Sequence, residues 1–402
     1  MTQEIIKPKI RGFISLTAHP SGCKRLIMDQ INSLNVASNS EIKNVLVIGS
    51  SMGYGLSSTI TSLFGLKASV LGVCYERQPV RSKTGSAGWY NSGELLNIAN
   101  ENNLNLNIIN GDAFANKTKE AVSTFFKESF EQIDLLIYSL ASPRRYEEST
   151  GITWNSALKP IGKSATFKSI NLQNYQFETI TMDPASNEEI NSTSKVMGGE
   201  DWESWIEYLL NEKLLSENFK TVAFSYMGPQ VTEQIYRSGT IGKAKQHLES
   251  TVVNINTILK NFSSKSNAIV SVNKALVTQA SSAIPGVPLY LSMLIKLMKD
   301  NDTNESALQQ IGRLFNDKGL LTNNPLTDSN NLIRLDDYEL DPVIQHDILE
   351  NWIKLNDKNF TKYIDIDQYI SDFHQIFGFN VDSVDYDLPV EIDPDYTISN
   401  IS

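Results

Sequence analysis

The stretch Val45-Leu46-Val47-Ile48-Gly49-Ser50-Ser51-Met52-Gly53-Tyr54-Gly55 decides how the rest of the chain is read. Four aliphatic residues in a row suit a strand buried on both faces, and Leu56, Ile60, Leu63 and Phe64 follow at helical spacing. Glycines and serines lie between, so the pattern is strand, tight turn, helix start. Without a Cβ the backbone turns sharply, and a pyrophosphate can approach the helix N-terminus, where unpaired N–H groups and the helix dipole favour an anion. A dinucleotide is expected here. The spacing is G-x3-G-x-G rather than the commoner G-x-G-x-x-G, and the glycines gain weight only from their place between strand and helix. An ordinary tight turn is the competing reading.

Strand and helix signals alternate outward from this point. Residues 68–75 read as a second strand that ends on Glu76, where a carboxylate can accept both adenosine ribose hydroxyls and would repel a 2′-phosphate. That favours NADH over NADPH. Arg77 follows at once and pulls the other way, because arginine is the usual partner of the 2′-phosphate, and Glu76 can also be a plain surface charge. Residues 104–109 give a third strand leading to Asp112, whose carboxylate at a strand end can bond adenine; 117–130 give a helix and 133–141 a fourth strand. The result is an α/β fold, a doubly wound parallel Rossmann-type sheet with helices on both faces and ligands at the carboxyl ends of its strands.

Upstream, 12–16 suggest a short strand and 22–34 a helix. Residues 77–92, with Arg81, Lys83, Gly85 and Gly88, read as a mobile, positively charged loop that lines an anionic substrate's path or is simply solvated. The alternation stops at 142–219, taken as an insertion covering the active site, with a hairpin from 165–170 and 177–182 and a helix starting at Asp201. It resumes with strand 221–226, helix 242–259 and strand 268–272. Helices at 288–298 and 305–315 belong to a C-terminal helical extension, 286–402, whose acidic tail from Asp382 wraps over the body or frays. The 402 residues are thus expected to form one elaborated domain.

Composition bounds the class. Hydrophobic residues at 41% and charged residues at 20% are ordinary globular values, and a net charge of −11 argues against a nucleic-acid partner. Cys23 and Cys74 form no C-x-x-C pair and the four histidines are scattered, so neither a disulfide framework nor a metal site is expected. Residues 1–11 lack the apolar core of a signal peptide and no run reaches a membrane span, which fits a cytoplasmic enzyme with no membrane partner.

Residues 226–245 begin at a strand end, where the nicotinamide of a bound cofactor belongs, and they carry Tyr226, Tyr236, Lys243 and Lys245. A phenol near pKa 10 is a proton donor at neutral pH, and a neighbouring ammonium can lower that pKa while holding the nicotinamide ribose. Short-chain dehydrogenases place lysine four residues after tyrosine, yet none of the 15 tyrosines here has lysine at that offset. Tyr236 and Lys245 are nine apart. On one continuous helix they would face opposite ways, so Gly239 must let Tyr236 sit in the loop ahead of a helix that carries Lys245. Tyr290 and Lys299 share the offset inside an unbroken apolar helix, so spacing alone is not specific, and a capping loop with a packed tyrosine remains the alternative.

Several separate motifs resemble one family. Tyr236-x8-Lys245, the 49–55 turn, Ile6-Lys7-Pro8 with Arg11-Gly12-Phe13, residues 85–92, 196–202 and 277–285 occur together in the order seen in trans-2-enoyl-CoA reductases and FabV-type enoyl-ACP reductases. The likeness runs from about residue 6 to 385. It implies NADH-dependent reduction of the 2,3-double bond of an enoyl-CoA or enoyl-acyl carrier protein in fatty acid synthesis, by a monomer or homodimer. It also implies Tyr236 as proton donor, Tyr226 as substrate contact and Lys245 as a cofactor-binding, catalytic lysine. Implied cofactor positions are Gly49, Ser50, Ser51, Met52, Gly53 and Tyr54; Tyr75 and Glu76; Asp112 and Ala113; Leu140 and Ala141; and Leu276, Val277 and Thr278. Met227, Pro229 and Gln230 stand where such enzymes vary, so acyl preference is left open. Hydride transfer would push charge onto the thioester oxygen, with Tyr226 and Tyr236 as candidate donors to it and Lys245 holding the phenol's pKa down. A short-chain ketoreductase and an NADH-binding redox sensor without turnover are the alternatives.

Overall fold

In the computed structural model, which describes residues 3–37, 39, 41–129 and 132–401, alternation along the central strands sets the architecture. On strand β1, Asn44–Ile48, Val45 and Val47 enter one apolar core while Leu46 and Ile48 enter a second core on the opposite face. Both faces are therefore covered. Strands β2 (Ser69–Cys74), β3 (Leu106–Asn110), β4 (Ile133–Tyr138), β5 (Leu215–Ser225), β6 (Asn267–Val272), β7 (Leu332–Arg334) and β8 (Ser399–Asn400) complete one parallel sheet, in the order β7-β6-β5-β4-β1-β2-β3-β8. The chain lays down β1 to β3 in one direction and then returns to place β4 on the other side of β1. That reversal opens a crevice at the carboxyl ends of β1 and β4, the usual ligand position in such sheets.

Amphipathic helices cover the two faces. Pro20–Asn32 (α1), Gly53–Ile60 (α2), Ala87–Glu101 (α3), Val287–Asp300 and Ala307–Asn316 contribute to the first core. Asn116–Ser129, Glu200–Asn211 and Thr240–Phe262 contribute to the second. Between β4 and β5 lie two hairpins, Arg144–Glu147 with Ile152–Asn155 and Ala165–Ile170 with Phe177–Met182, and the helices Asn187–Met197 and Glu200–Asn211. This segment touches the turn that carries Tyr236, since the Lys159 carbonyl accepts the Thr240 N–H at 3.0 Å. Phe130, the expected last residue of one helix, lies outside the described residues.

One local expectation is overturned. Residues 77–92 are not a loop throughout, because helix α3 starts at Ala87 and buries Trp89, Tyr90 and Asn91. Its glycines serve close packing rather than mobility: a Cβ on Gly88 would stand 2.1 Å from Glu76 Oε1, and one on Gly93 would stand 2.1 Å from the Tyr396 ring. The acidic tail wraps rather than frays. Val390–Glu391 pairs with Gln3–Glu4, Tyr396 donates to Glu94 at 2.8 Å, and β8 extends the sheet beside β3. Gly93→Ala should therefore cost about 1–3 kcal/mol, because the ring is held by its hydroxyl and cannot swing aside freely. A chemical denaturation midpoint unchanged from the parent would show that the tail yields without cost.

Candidate active site

The glycine turn sits at the switch point between β1 and β4. Gly49 has φ +86° and Gly53 φ +50°, and a Cβ on Gly55 would fall 1.8 Å from the Gly49 carbonyl oxygen. A Cβ on Gly49 would meet the Ser139 carbonyl at 2.1 Å, so the turn packs against the end of β4. Helix α2 starts here with Met52 at its N-cap and no side-chain cap bond. Its first N–H groups are left for an anion.

Glu76 stands at the end of β2, and its carboxylate accepts the hydroxyls of Ser51 at 2.6 Å and Ser86 at 2.5 Å. Burial raises its pKa, while those two hydroxyls and Arg77 act to lower it. Asn110, which the sequence reading missed, clamps the Glu76 backbone: its Oδ1 accepts the N–H at 2.6 Å and its Nδ2 donates to the carbonyl at 3.0 Å. Tyr75 is exposed beside it. Asp112 follows β3 and accepts the Phe114 N–H at 3.0 Å, and the Ala113 carbonyl accepts Trp205 Nε1–H at 3.2 Å. Leu140 and Ala141 follow β4; Leu276 and Val277 follow β6 and lead to Thr278, which caps Gln279–Ser282. All of these positions lie just beyond the carboxyl ends of parallel strands.

Tyr226 directly follows β5 and Tyr236 lies in the turns that precede Thr240–Phe262. Their rings meet edge to face, with centroids 4.6 Å apart at 83°. Gly239 is the N-cap of that helix, with Lys245 in its second turn, so the break at Gly239 separates the tyrosine from the lysine's helix. The Lys245 ammonium donates to the Phe224 carbonyl at 3.0 Å. Burial lowers its pKa to about 8, with Glu249 acting in the opposite sense.

Tyr236 is buried, and burial followed by the charge of Glu339 raises its pKa. The phenol therefore stays protonated at neutral pH, as a donor requires. Arg237, rather than Lys245, is the cation that acts to lower it, which departs from the role expected of Lys245. Among the described residues no hydrogen-bond partner holds the Tyr236 hydroxyl. Behind the pair lies Glu339, fully buried, together with Tyr290 and Lys274, none of which the sequence reading placed in the site. Tyr290 sits in an apolar core helix, yet its hydroxyl donates to Glu339 at 2.6 Å, while Lys299 pairs with Asp365 at 3.1 Å. Tyr54 joins the same region, its hydroxyl 2.5 Å from the Lys274 carbonyl and 2.8 Å from Gln310 Oε1.

A doubly wound parallel sheet with a glycine turn at its switch point, and with Tyr226, Tyr236 and Lys245 at the same edge, has the form of a nicotinamide-nucleotide oxidoreductase. The comparisons narrow the class. Three family profiles match: the NAD(P)H binding domain of trans-2-enoyl-CoA reductase over residues 5–81, the trans-2-enoyl-CoA reductase catalytic region over 83–319, and an enoyl reductase FAD binding domain over 327–390. The enoyl-[acyl-carrier-protein] reductase [NADH] of Flavobacterium psychrophilum is 45% identical over 95% of this chain and 96% of its own. The trans-2-enoyl-CoA reductase [NADH] of Ruminiclostridium cellulolyticum is 43% identical over 97% and 98%. A crystal structure of Clostridium acetobutulicum trans-2-enoyl-CoA reductase in complex with NADH superposes with a TM-score of 0.93 at 37% identity, covering 97% of this chain and 98% of that one. The chain belongs to the trans-2-enoyl-CoA reductase family.

The third profile names FAD, and the residues it covers do not fit a flavin. Residues 327–390 contain one glycine, Gly378, and its open side is filled by the His19 carbonyl and Cys23. Arg334 is committed to Asp328 and Asp336, and Lys354 to Glu350. Ile344, Ile348, Phe360, Tyr369 and Phe373 are spent in the main core. No glycine turn or unpaired buried cation in this segment forms a cradle for a pyrophosphate, and no step below uses a flavin.

Proposed function

We propose that this protein uses NADH to reduce the 2,3-double bond of trans-2-enoyl thioesters, carried on coenzyme A or acyl carrier protein, in cytoplasmic fatty acid synthesis. The observation that carries the reading is the Tyr226–Tyr236 pair at the carboxyl edge of the sheet, with a protonated Tyr236 hydroxyl that no described residue holds. No described helix is long and apolar enough to cross a membrane. NADH, when bound, supplies the hydride that adds to the β-carbon. The chain's own groups then have four tasks. The Gly49–Gly55 turn and the open N-terminus of α2 receive the pyrophosphate; Glu76 receives the adenosine ribose; Lys245 holds the nicotinamide ribose. Tyr236 donates toward the thioester oxygen as negative charge grows there, and its proton reaches the α-carbon directly or through the enol. Relatives of both carrier types are similar to this chain to nearly the same degree, so both carriers belong in the assay. NADH oxidation with crotonyl-CoA, with an enoyl-acyl carrier protein and with acetoacetyl-CoA tests the reading. Turnover of the ketoacyl substrate alone would replace it with a ketoreductase.

Cofactor choice is attributed to Glu76. Its carboxylate is fixed by Ser51 and Ser86, so a 2′-phosphate would meet a charge that cannot swing away. Glu76→Ala should narrow the NADH-to-NADPH ratio of kcat/KM by about tenfold or more, with most of the change in the KM for NADPH. A ratio unmoved by the substitution would transfer the discrimination to another group, with Arg77 the first to test.

A further inference from the structure

Glu339 is a buried carboxylate that the reaction as described does not use, and every group facing its two oxygens is a donor. Oε1 accepts the hydroxyls of Tyr226 at 2.7 Å and Tyr290 at 2.6 Å, and Oε2 accepts the Ala275 N–H at 2.6 Å. Burial raises the pKa of Glu339 and lowers that of Lys274, each shift opposed by the other's charge, and Lys274 donates to the Ala275 carbonyl at 3.1 Å. The Glu339 main chain is fixed as well, its carbonyl accepting Gln345 Nε2–H at 2.7 Å. A phenol has one proton to donate. The proton of Tyr226 is spent on Glu339, so toward a ligand Tyr226 offers only oxygen lone pairs. The Tyr236 hydroxyl, in the ring packed against Tyr226, has no such commitment among the described residues.

We propose that Glu339 is a positioning residue: by accepting the hydrogen bond of the Tyr226 hydroxyl it makes that residue an acceptor in the site and leaves Tyr236, of the two, as the phenol able to donate to the thioester. This rests on the reading of the protein as an enoyl thioester reductase and divides the labour between its two tyrosines. Tyr290 shares the same carboxylate oxygen and holds it in place from the helix Val287–Asp300. Glu339 touches neither cofactor nor substrate in this scheme; its charge also helps to raise the pKa of Tyr236, but its hydrogen bond into the site runs through Tyr226.

The test is a double-mutant cycle on kcat with crotonyl-CoA, using Glu339→Gln, Tyr226→Phe and the pair together. Glu339→Gln is expected to lower kcat by about tenfold, the order of a lost hydrogen bond to a charged group, with the KM for NADH within about twofold of the parent because the cofactor positions are untouched. The double variant should lose no more than Tyr226→Phe alone, since residues acting as one unit do not add. Parent-level kcat in Glu339→Gln, or single losses that multiply in the pair, would overturn the inference. Should Glu339→Gln fail to fold, Tyr226→Phe decides: a loss of about tenfold agrees, and a loss as deep as that of Tyr236→Phe would mean Tyr226 donates a proton after all. A parent protein inactive on every enoyl thioester would remove the functional reading and the inference with it. An active parent with a multiplying cycle removes the inference alone.

Discussion

Tyr236→Phe is expected to lower kcat by about 10²- to 10⁴-fold, the range for a positioned acid, while NADH affinity stays within about twofold because no cofactor contact is lost. The substitution keeps the ring, so the edge-to-face packing on Tyr226 survives and the fold should not change. The loss arises from the proton alone. Burial raises the pKa of this phenol, so it remains a neutral donor across the physiological range and the donor form does not limit the rate below that pKa. Pre-steady-state kinetics would separate the steps: NADH binding at the parent rate, followed by a slow chemical phase. Near-normal kcat in this variant would pass the proton to water or Tyr226 and withdraw the assignment.

Lys245→Met is expected to weaken NADH binding by about 10- to 100-fold and to lower turnover with it, since hydrogen bonds from a charged donor are worth about 1.5–3 kcal/mol. Methionine keeps much of the volume, so the packing of Thr240–Phe262 is preserved and the effect reports the ammonium. A pH dependence follows with a definite sign. Burial holds the lysine at about 8 without cofactor, and an anionic ligand favours its charged form. NADH affinity should therefore be full below about 8 and decline as pH rises through that value, a decline that Lys245→Met removes. Fluorescence titration of NADH at several pH values measures both effects, and a parent affinity flat through that window would contradict the role given to Lys245.

Much of the fold was legible because short-range signals agreed with the final packing. The run 45–48 between glycine turn and charged start has a strand's composition, and the structure buries both of its faces. The relation of Tyr236 to Lys245 was legible through Gly239, whose break in the helix the structure keeps. Loop 77–92 misled because its glycines and cations look like a flexible segment, whereas Gly88 and Gly93 are required by contacts with Glu76 and Tyr396, the latter far along the chain. Glu339 was invisible for a similar reason. It sits in Asp336-Asp337-Tyr338-Glu339, which reads as a solvated acidic run, and only the convergence of β5, the segment after β6 and Val287–Asp300 buries it among donors. Asn110 and the tail strand carry no motif at all. Their meaning comes from the edge of the sheet, where Asn110 joins Asn400 to the backbone of Glu76.

The most direct test of the central claim is the fate of the two hydrogens in one turnover of crotonyl-CoA. With deuterium at the transferable position of NADH the saturated acyl product is expected to carry it at the β-carbon, and in deuterated water with ordinary NADH the label should appear at the α-carbon. Cofactor label on a hydroxyl-bearing carbon formed from a ketone, or no transfer to any enoyl thioester, would contradict the account.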